Sequence, residues 1–80
     1  MTDIPPTTAR YVLSAFGAAG GWRPGSFTEA LISLLARADQ HNAAKLANEY
    51  PAEAAAVRLA KYDENGIAKL QKIAAGQVAA

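Results

Sequence analysis

The sequence predicts an all-α protein that folds as one compact domain of four to five short helices. Twenty of the 80 residues are alanine, which has the highest intrinsic helix propensity. The β-branched and aromatic residues that favour strands are sparse. Hydrophobic residues make up 51% of the chain, which is too many for a disordered polypeptide, and they recur at helical spacing.

The first predicted helix follows a short arm, residues 1–6, that ends in two prolines. Thr7 or Thr8 can cap its start, because a threonine hydroxyl accepts a hydrogen bond from a free backbone N–H of the first turn. The Gly20-Gly21 pair is expected to end it. One face of this helix carries Val12, Leu13 and Phe16, with Ala9 and Ala19 near its edges.

The second predicted helix is the best specified element. Ser26 and Glu29 have the S-x-x-E spacing of a capping box, which would satisfy two backbone donors at the helix start. We therefore expect this helix to be central, with Leu34 and Leu35 among the most buried residues. Its predicted core stripe consists of Phe27, Ala30, Leu31, Leu34, Leu35 and Ala38.

Three further helices are predicted after Asp39, which can cap the first of them, residues 40–50. Pro51 disfavours a helical conformation at Tyr50 and suits the first position of a new helix, residues 51–62. The cluster of residues 63–66 predicts a turn, and a last helix covers about residues 67–75. The single domain thus has a helical core over about residues 7–75 and a frayed tail at 76–80.

Composition also limits the classes of function. Eight Lys and Arg residues against seven Asp and Glu residues give a net charge of +1, so nucleic acid and acidic membranes are not the favoured partners. No apolar run reaches the roughly 18 residues of a membrane span, and the first six residues lack the basic start of a secretory signal. Cysteine is absent. We expect a cytoplasmic protein with no membrane association.

No motif in the chain predicts catalysis, a cofactor or a metal ion. His41 is the only histidine and lies in a polar run without a nucleophile motif around it. Asp63-x-Asn65-Gly66 resembles the start of a calcium loop but lacks the later ligands, so we interpret it as a turn. The glycine-rich stretch 17–21 follows a helical pattern and lacks the G-K-[ST] of a phosphate loop. The protein is therefore predicted not to be an enzyme.

Trp22 is the residue that most needs an explanation. It lies in a turn bounded by glycine and proline, beside Arg23, and tryptophan and arginine are enriched at the energetic centres of protein interfaces. The alternative, which we favour, is that Trp22 covers the first two helices as a lid packed on Phe16 and Phe27. Candidate interaction residues are Trp22, Arg23, Ile32, Tyr11 and Tyr62.

The alanine- and glycine-rich composition, with Phe27-Thr28-Glu29-Ala30-Leu31-Ile32 leading to Ala36-Arg37-Ala38-Asp39, resembles small proteins of unknown function encoded by actinobacterial phages and prophages. The similarity extends through Lys45-Leu46-Ala47 and Tyr50-Pro51 to the last helix. It implies an accessory role in phage or host and assigns no catalytic residue.

The leading functional hypothesis is a small protein–protein interaction module, acting on a host or phage protein or on a second copy of itself. The alternative is a DNA-binding regulator of helix-turn-helix type. In that alternative the helix that starts at Gln40 would enter the major groove, with Arg37, Lys45 and at least one further cation on the same face.

Overall fold

The computed structural model describes residues 3–76, and in that part of the chain all regular secondary structure is α-helical. This confirms the predicted all-α, single-domain fold. The predicted tail lies outside the described residues except for Gly76. The helices are α1 (Pro6–Ala15), α2 (Ser26–Arg37), α3 (Gln40–Glu49), α4 (Pro51–Tyr62) and α5 (Gly66–Ala74).

The central element is α4, because it packs against each of the other four helices. The prediction that α2 is central is therefore wrong. α2 packs mainly on α4 and α1, and α3 packs mainly on α4. α4 fits this position because alanines at 54, 55, 56 and 60 allow neighbouring backbones to approach closely. Within the described chain, α3 carries no fully buried residue.

The core is aliphatic and small. The side chains with no exposure that are largest in volume are Leu13, Ile32, Leu70 and Val12. They come from α1, α2 and α5, which meet around α4. The other buried hydrophobic residues are Ala9, Leu31, Leu35, Ala56, Val57 and Ala74.

The start of α1 differs from the prediction. The helix begins at Pro6 with Pro5 as its N-cap, and no side chain caps it. Pro6 is suited to this position, because a first-turn residue has no helical acceptor for a backbone N–H and proline lacks one. Thr7 and Thr8 therefore lie inside the helix and not at its cap.

α1 ends earlier than Gly20-Gly21, at Ala15. Gly17 has a φ of 67°, in the left-handed region that glycine adopts readily. The Gly17 N–H donates to the Ser14 carbonyl over 3.1 Å, and the Ala18 N–H donates to the Leu13 carbonyl over 2.9 Å. This pair of bonds is a Schellman motif, and it satisfies carbonyls that the helix end leaves free.

The predicted capping box of α2 does not form. The N-cap is Gly25, one residue before the expected Ser26, and no side chain caps the helix. The Glu29 carboxylate instead accepts a hydrogen bond of 3.2 Å from Nε of Arg23. The acidic residue of the motif is thus engaged by the preceding loop.

The predictions for α3 and α4 are confirmed. The Asp39 side chain accepts a 2.8 Å hydrogen bond from the backbone N–H of Asn42 and so caps α3. Tyr50 has non-helical dihedral angles, φ −130° and ψ 63°, as expected for a residue before proline. α3 therefore ends at Glu49, one residue earlier than predicted, and α4 begins at Pro51 and spans the predicted residues.

The turn into α5 depends on a close approach at Gly66. A Cβ atom at this position would overlap the backbone carbonyl of Leu59 in α4, so only glycine fits without movement of the backbone. Asp63 organises the same turn by accepting a 2.8 Å hydrogen bond from the Asn65 N–H. This confirms the interpretation of residues 63–66 as a turn.

Candidate protein-binding surface

The aromatic residues are all outside the buried core. Phe16, Trp22, Phe27 and Tyr62 are exposed, and Tyr11 and Tyr50 are half-buried at the edge of the core. In a chain with few large apolar side chains, this arrangement leaves much of the apolar surface in contact with water. Such surface in a small protein indicates a binding face more often than isolated exposed residues do.

Two of the exposed large hydrophobic residues lie on α2. Phe27 is 67% exposed and Leu34 is 49% exposed, and Ala30 between them is also exposed. Phe27, Ala30 and Leu34 are spaced by three and then four residues, so they lie along one side of the helix. Arg37, three residues after Leu34, lies on the same side. We call Phe27, Ala30, Leu34 and Arg37 the outer face of α2. This face corrects the prediction that Leu34 is among the most buried residues.

The opposite side of α2 forms the core contact. Leu31 is 7% exposed, Ile32 is fully buried and Leu35 is 3% exposed. The prediction for Leu35 is confirmed. Ile32, proposed as an exposed interaction residue, is misassigned, because α2 turns the side with Leu31, Ile32 and Leu35 toward its neighbouring helices. The predicted stripe was thus half right, and the half with Phe27, Ala30 and Leu34 faces water.

Contacts at the start of α2 support the outer face. The Phe27 and Tyr50 rings lie with centroids 6.2 Å apart at an interplanar angle of 56°, a tilted arrangement that is favourable for aromatic pairs. Tyr50 in turn packs against the core. The Arg23–Glu29 ion pair connects the loop to the first turn of α2. Phe27 is therefore supported on one side and open on the other.

The prediction that Trp22 covers the first two helices as a lid is wrong. The Trp22 side chain is 53% exposed, and the Arg10 guanidinium lies 4.3 Å from the ring centroid. The backbone N–H of Trp22 donates to the Arg10 carbonyl over 3.0 Å, and Arg10 Nη1 donates to the Gly20 carbonyl over 3.0 Å. Gly21 also lies so close to Ser14 that a Cβ atom would overlap its backbone. These contacts hold the loop along α1 and leave the ring at the surface.

The remaining candidate residues are dispersed. The Arg23 side chain is exposed and paired with Glu29, and Tyr11 is half-buried against the core. Tyr62 is 67% exposed at the end of α4, where Nζ of Lys61 lies 5.0 Å from its ring centroid. Sequence reasoning missed Phe27 and Leu34 as surface residues, because their helical spacing is equally consistent with a core face.

A groove of about 680 Å³ lies along α3 and α4. Six alanines, together with Leu35 and Val57, give it an apolar lining, and Arg58, Lys61 and Tyr62 also border it. No carboxylate, histidine or serine is among the described residues that line it. It is an apolar groove with basic side chains at its border.

The titratable groups of residues 3–76 show no gathering of three histidine or acidic side chains that could hold a metal ion. His41 is exposed in the first turn of α3. The pKa of Asp63 is lowered, first because Lys69 Nζ donates to its carboxylate over 2.7 Å and second because the Asn65 N–H donates to it. These contacts stabilise the turn between α4 and α5.

The proposed DNA-reading helix gains little support from the geometry. α2 and α3 share few contacts with each other, whereas the two helices of a helix-turn-helix pack together. Lys45 is exposed on α3, and Glu49 lies one turn further along the same helix. DNA binding therefore stays an untested prediction. None of the helices in the described part of the chain is long and apolar enough to cross a membrane.

Comparison of the chain with protein-family models, curated proteins and solved structures finds no match.

Proposed function

We propose that this protein is a protein-binding module and that the outer face of α2 is its contact surface. The observation that carries the proposal is the exposure of Phe27 and Leu34 on one side of a well-formed helix whose other side is buried. Full burial of a leucine or phenylalanine side chain contributes about 1.5–3 kcal/mol. A partner that covers both residues would therefore gain a substantial part of its binding free energy from them.

The geometry suits recognition of another helix or a groove. An exposed helical face with apolar residues at positions i, i+3 and i+7 is the form in which amphipathic helices bind partners. Arg37 adds a charged group at one end of the face, and the core behind α2 keeps the helix in place without the partner. An accessory role in phage or host, as implied by the sequence resemblance, is compatible with a module of this kind.

The proposal is tested by photo-crosslinking in the cells that encode the protein. A benzoylphenylalanine is placed at position 34, and in a control chain at position 68, where the native alanine is exposed on α5. We expect the probe at position 34 to give one dominant protein adduct, identified by mass spectrometry, and the probe at position 68 to lack it. Equal adduct patterns from both positions would contradict the proposal.

A second comparison tests the apolar character of the surface. Phe27→Glu should remove the dominant adduct, because it places a charge where a partner would exclude water. Ala68→Glu adds the same charge at an exposed residue of α5, away from the outer face, and it should retain the adduct. Loss of the adduct in both variants would point to a general effect of the added charge and not to a defined contact surface.

A further inference from the structure

The outer face of α2 has the spacing of a coiled-coil seam. Phe27, Ala30, Leu34 and Arg37 follow one another by three, four and three residues, which is the a/d pattern of a heptad repeat, and all four are exposed. Successive residues are 100° apart around the helix axis, so the centre of this seam and the centre of the buried side are separated by well over 90° around that axis. The buried side carries Leu31, Ile32 and Leu35. A second helix can therefore pack on the seam without displacing α4.

The seam is complementary to itself when two copies run in opposite directions. Positions 27 and 37 lie symmetrically about residue 32, and so do positions 30 and 34. An antiparallel pair therefore places the small Ala30 of each copy opposite the large Leu34 of the other, which fills space at a helix contact. It also places Arg37 of each copy over Phe27 of the other, which is a favourable pairing of a cation with an aromatic ring.

We propose, on the basis of the protein-binding function above, that the partner of this surface is a second copy of the chain, joined through α2 in an antiparallel, two-fold symmetric dimer. A parallel pair is disfavoured by charge, because it would bring the two Arg37 side chains together and align like ends of the helix dipoles. It would also leave alanine opposite alanine. Ser33, which is exposed beside the seam, is neutral and creates no repulsion in either copy.

The size of the contact sets the expected strength. α2 has 12 residues and is about 18 Å long at 1.5 Å per residue. A contact along one such helix buries less than a standard protein interface, so the dimer is weak and depends on concentration. Small domains with a limited core gain burial through such association.

The dimer is tested by sedimentation velocity on the full chain between about 10 µM and 1 mM, the range in which small interfaces associate. We expect the mass to rise from monomer to dimer across this range. Leu34→Glu should weaken association by at least about 30-fold, as loss of a central apolar contact does. The matched control Ala68→Glu adds the same charge on α5 and should leave association unchanged. A monomeric mass at every concentration would overturn the inference.

A charge exchange tests the register. Arg37→Glu alone should weaken the dimer, because it removes the cation above Phe27. The double variant Phe27→Lys with Arg37→Glu should recover association, since an antiparallel pair then places a lysine opposite a glutamate at both ends. Absence of recovery in a double variant that has a normal thermal unfolding transition would count against the proposed register.

Because the chain contains no cysteine, disulfide crosslinking can test directly whether the two α2 helices run antiparallel. A mixture of Phe27→Cys and Arg37→Cys proteins should form the mixed disulfide under mild oxidation, because these positions face each other in the antiparallel pair. Preferential disulfides between two Phe27→Cys chains would overturn the antiparallel arrangement.

If the chain is monomeric while the probe at position 34 captures a different protein, the dimer inference fails and the protein-binding function stands. If the probe captures nothing, both fail.

Discussion

Leu34 and Leu35 are neighbours in α2, and they lie in opposite environments: Leu35 is 3% exposed within the core, whereas Leu34 is 49% exposed on the outer face. Successive residues of a helix are 100° apart, so one leucine can contact the core while the next contacts water. The two residues differ neither in chemistry nor in secondary structure. Matched substitutions at the two positions therefore separate the contribution of α2 to folding from its proposed contribution to binding.

Leu35→Ala should lower the free energy of unfolding by about 2–5 kcal/mol, because it opens a cavity in the core. Leu34→Ala should lower it by less than about 1 kcal/mol, since half of that side chain is already in water. Urea denaturation of both variants at a low protein concentration, where association is minimal, measures the difference. Equal losses for the two variants would contradict the burial of Leu35 and the exposure of Leu34.

Gly25→Ser should stabilise the protein by about 0.5–1 kcal/mol, because it adds a side-chain cap to α2, worth roughly a few tenths of a kcal/mol over glycine, and because it reduces the conformational freedom of the unfolded chain. Gly25 has an extended backbone, φ −67° and ψ 169°, and a Cβ atom there meets no other atom within 4 Å. Gly25→Ala is the control, because it adds a Cβ atom without a hydrogen-bond acceptor. A thermal melt in which the serine variant is no more stable than the alanine variant would argue against capping at this position.

Trp22→Ala should lower the free energy of unfolding by no more than about 1 kcal/mol, the contribution of an exposed cation–π contact. The indole should emit at long wavelength in the folded protein and be quenched readily by iodide, because over half of the side chain is exposed. Arg10→Gln should increase the exposure of the ring to iodide, since the guanidinium lies above it. A short-wavelength emission that resists iodide would restore the lid interpretation.

Asp63 should contribute to stability only where its carboxylate is ionised. Because its pKa is lowered from the ordinary value of 3.8, the folded protein binds this proton less readily than the unfolded chain does. The contribution is therefore complete above the ordinary value and is lost as the pH falls through the lowered pKa of the folded state. The contribution is small, because the Asp63–Lys69 pair is partly exposed to solvent.

Asp63→Asn is the variant that isolates this effect. This variant should have a lower free energy of unfolding than the unchanged protein at neutral pH. The difference between the two free energies should narrow as the pH falls and the Asp63 carboxylate of the unchanged protein is protonated. Denaturation curves recorded through the acid range measure this difference. A difference that stays constant with pH would mean that the charge of Asp63 does not stabilise the turn.

Local signals in the sequence were sufficient to place α3, α4 and the turn into α5. The cap at Asp39, the break before Pro51 and the turn at residues 63–66 each depend on backbone hydrogen bonds and dihedral angles within a few residues. Such short-range preferences do not require knowledge of the rest of the fold. They therefore defined the all-α class and the bounds of α3 and α4 within one residue.

The tertiary structure decided which side of each helix is buried. Phe27, Ala30 and Leu34 share the periodicity of Leu31 and Leu35, and only the docking of α2 on α4 and α1 separates the two sets. The same holds for the loop before α2, where the close approach of Gly21 to Ser14 holds Trp22 at the surface. Spacing along one helix specifies which residues share a face, but burial depends on contacts between residues far apart in the chain. For this reason the sequence determined where most of the helices lie, and only their packing determined which of their apolar side chains are exposed.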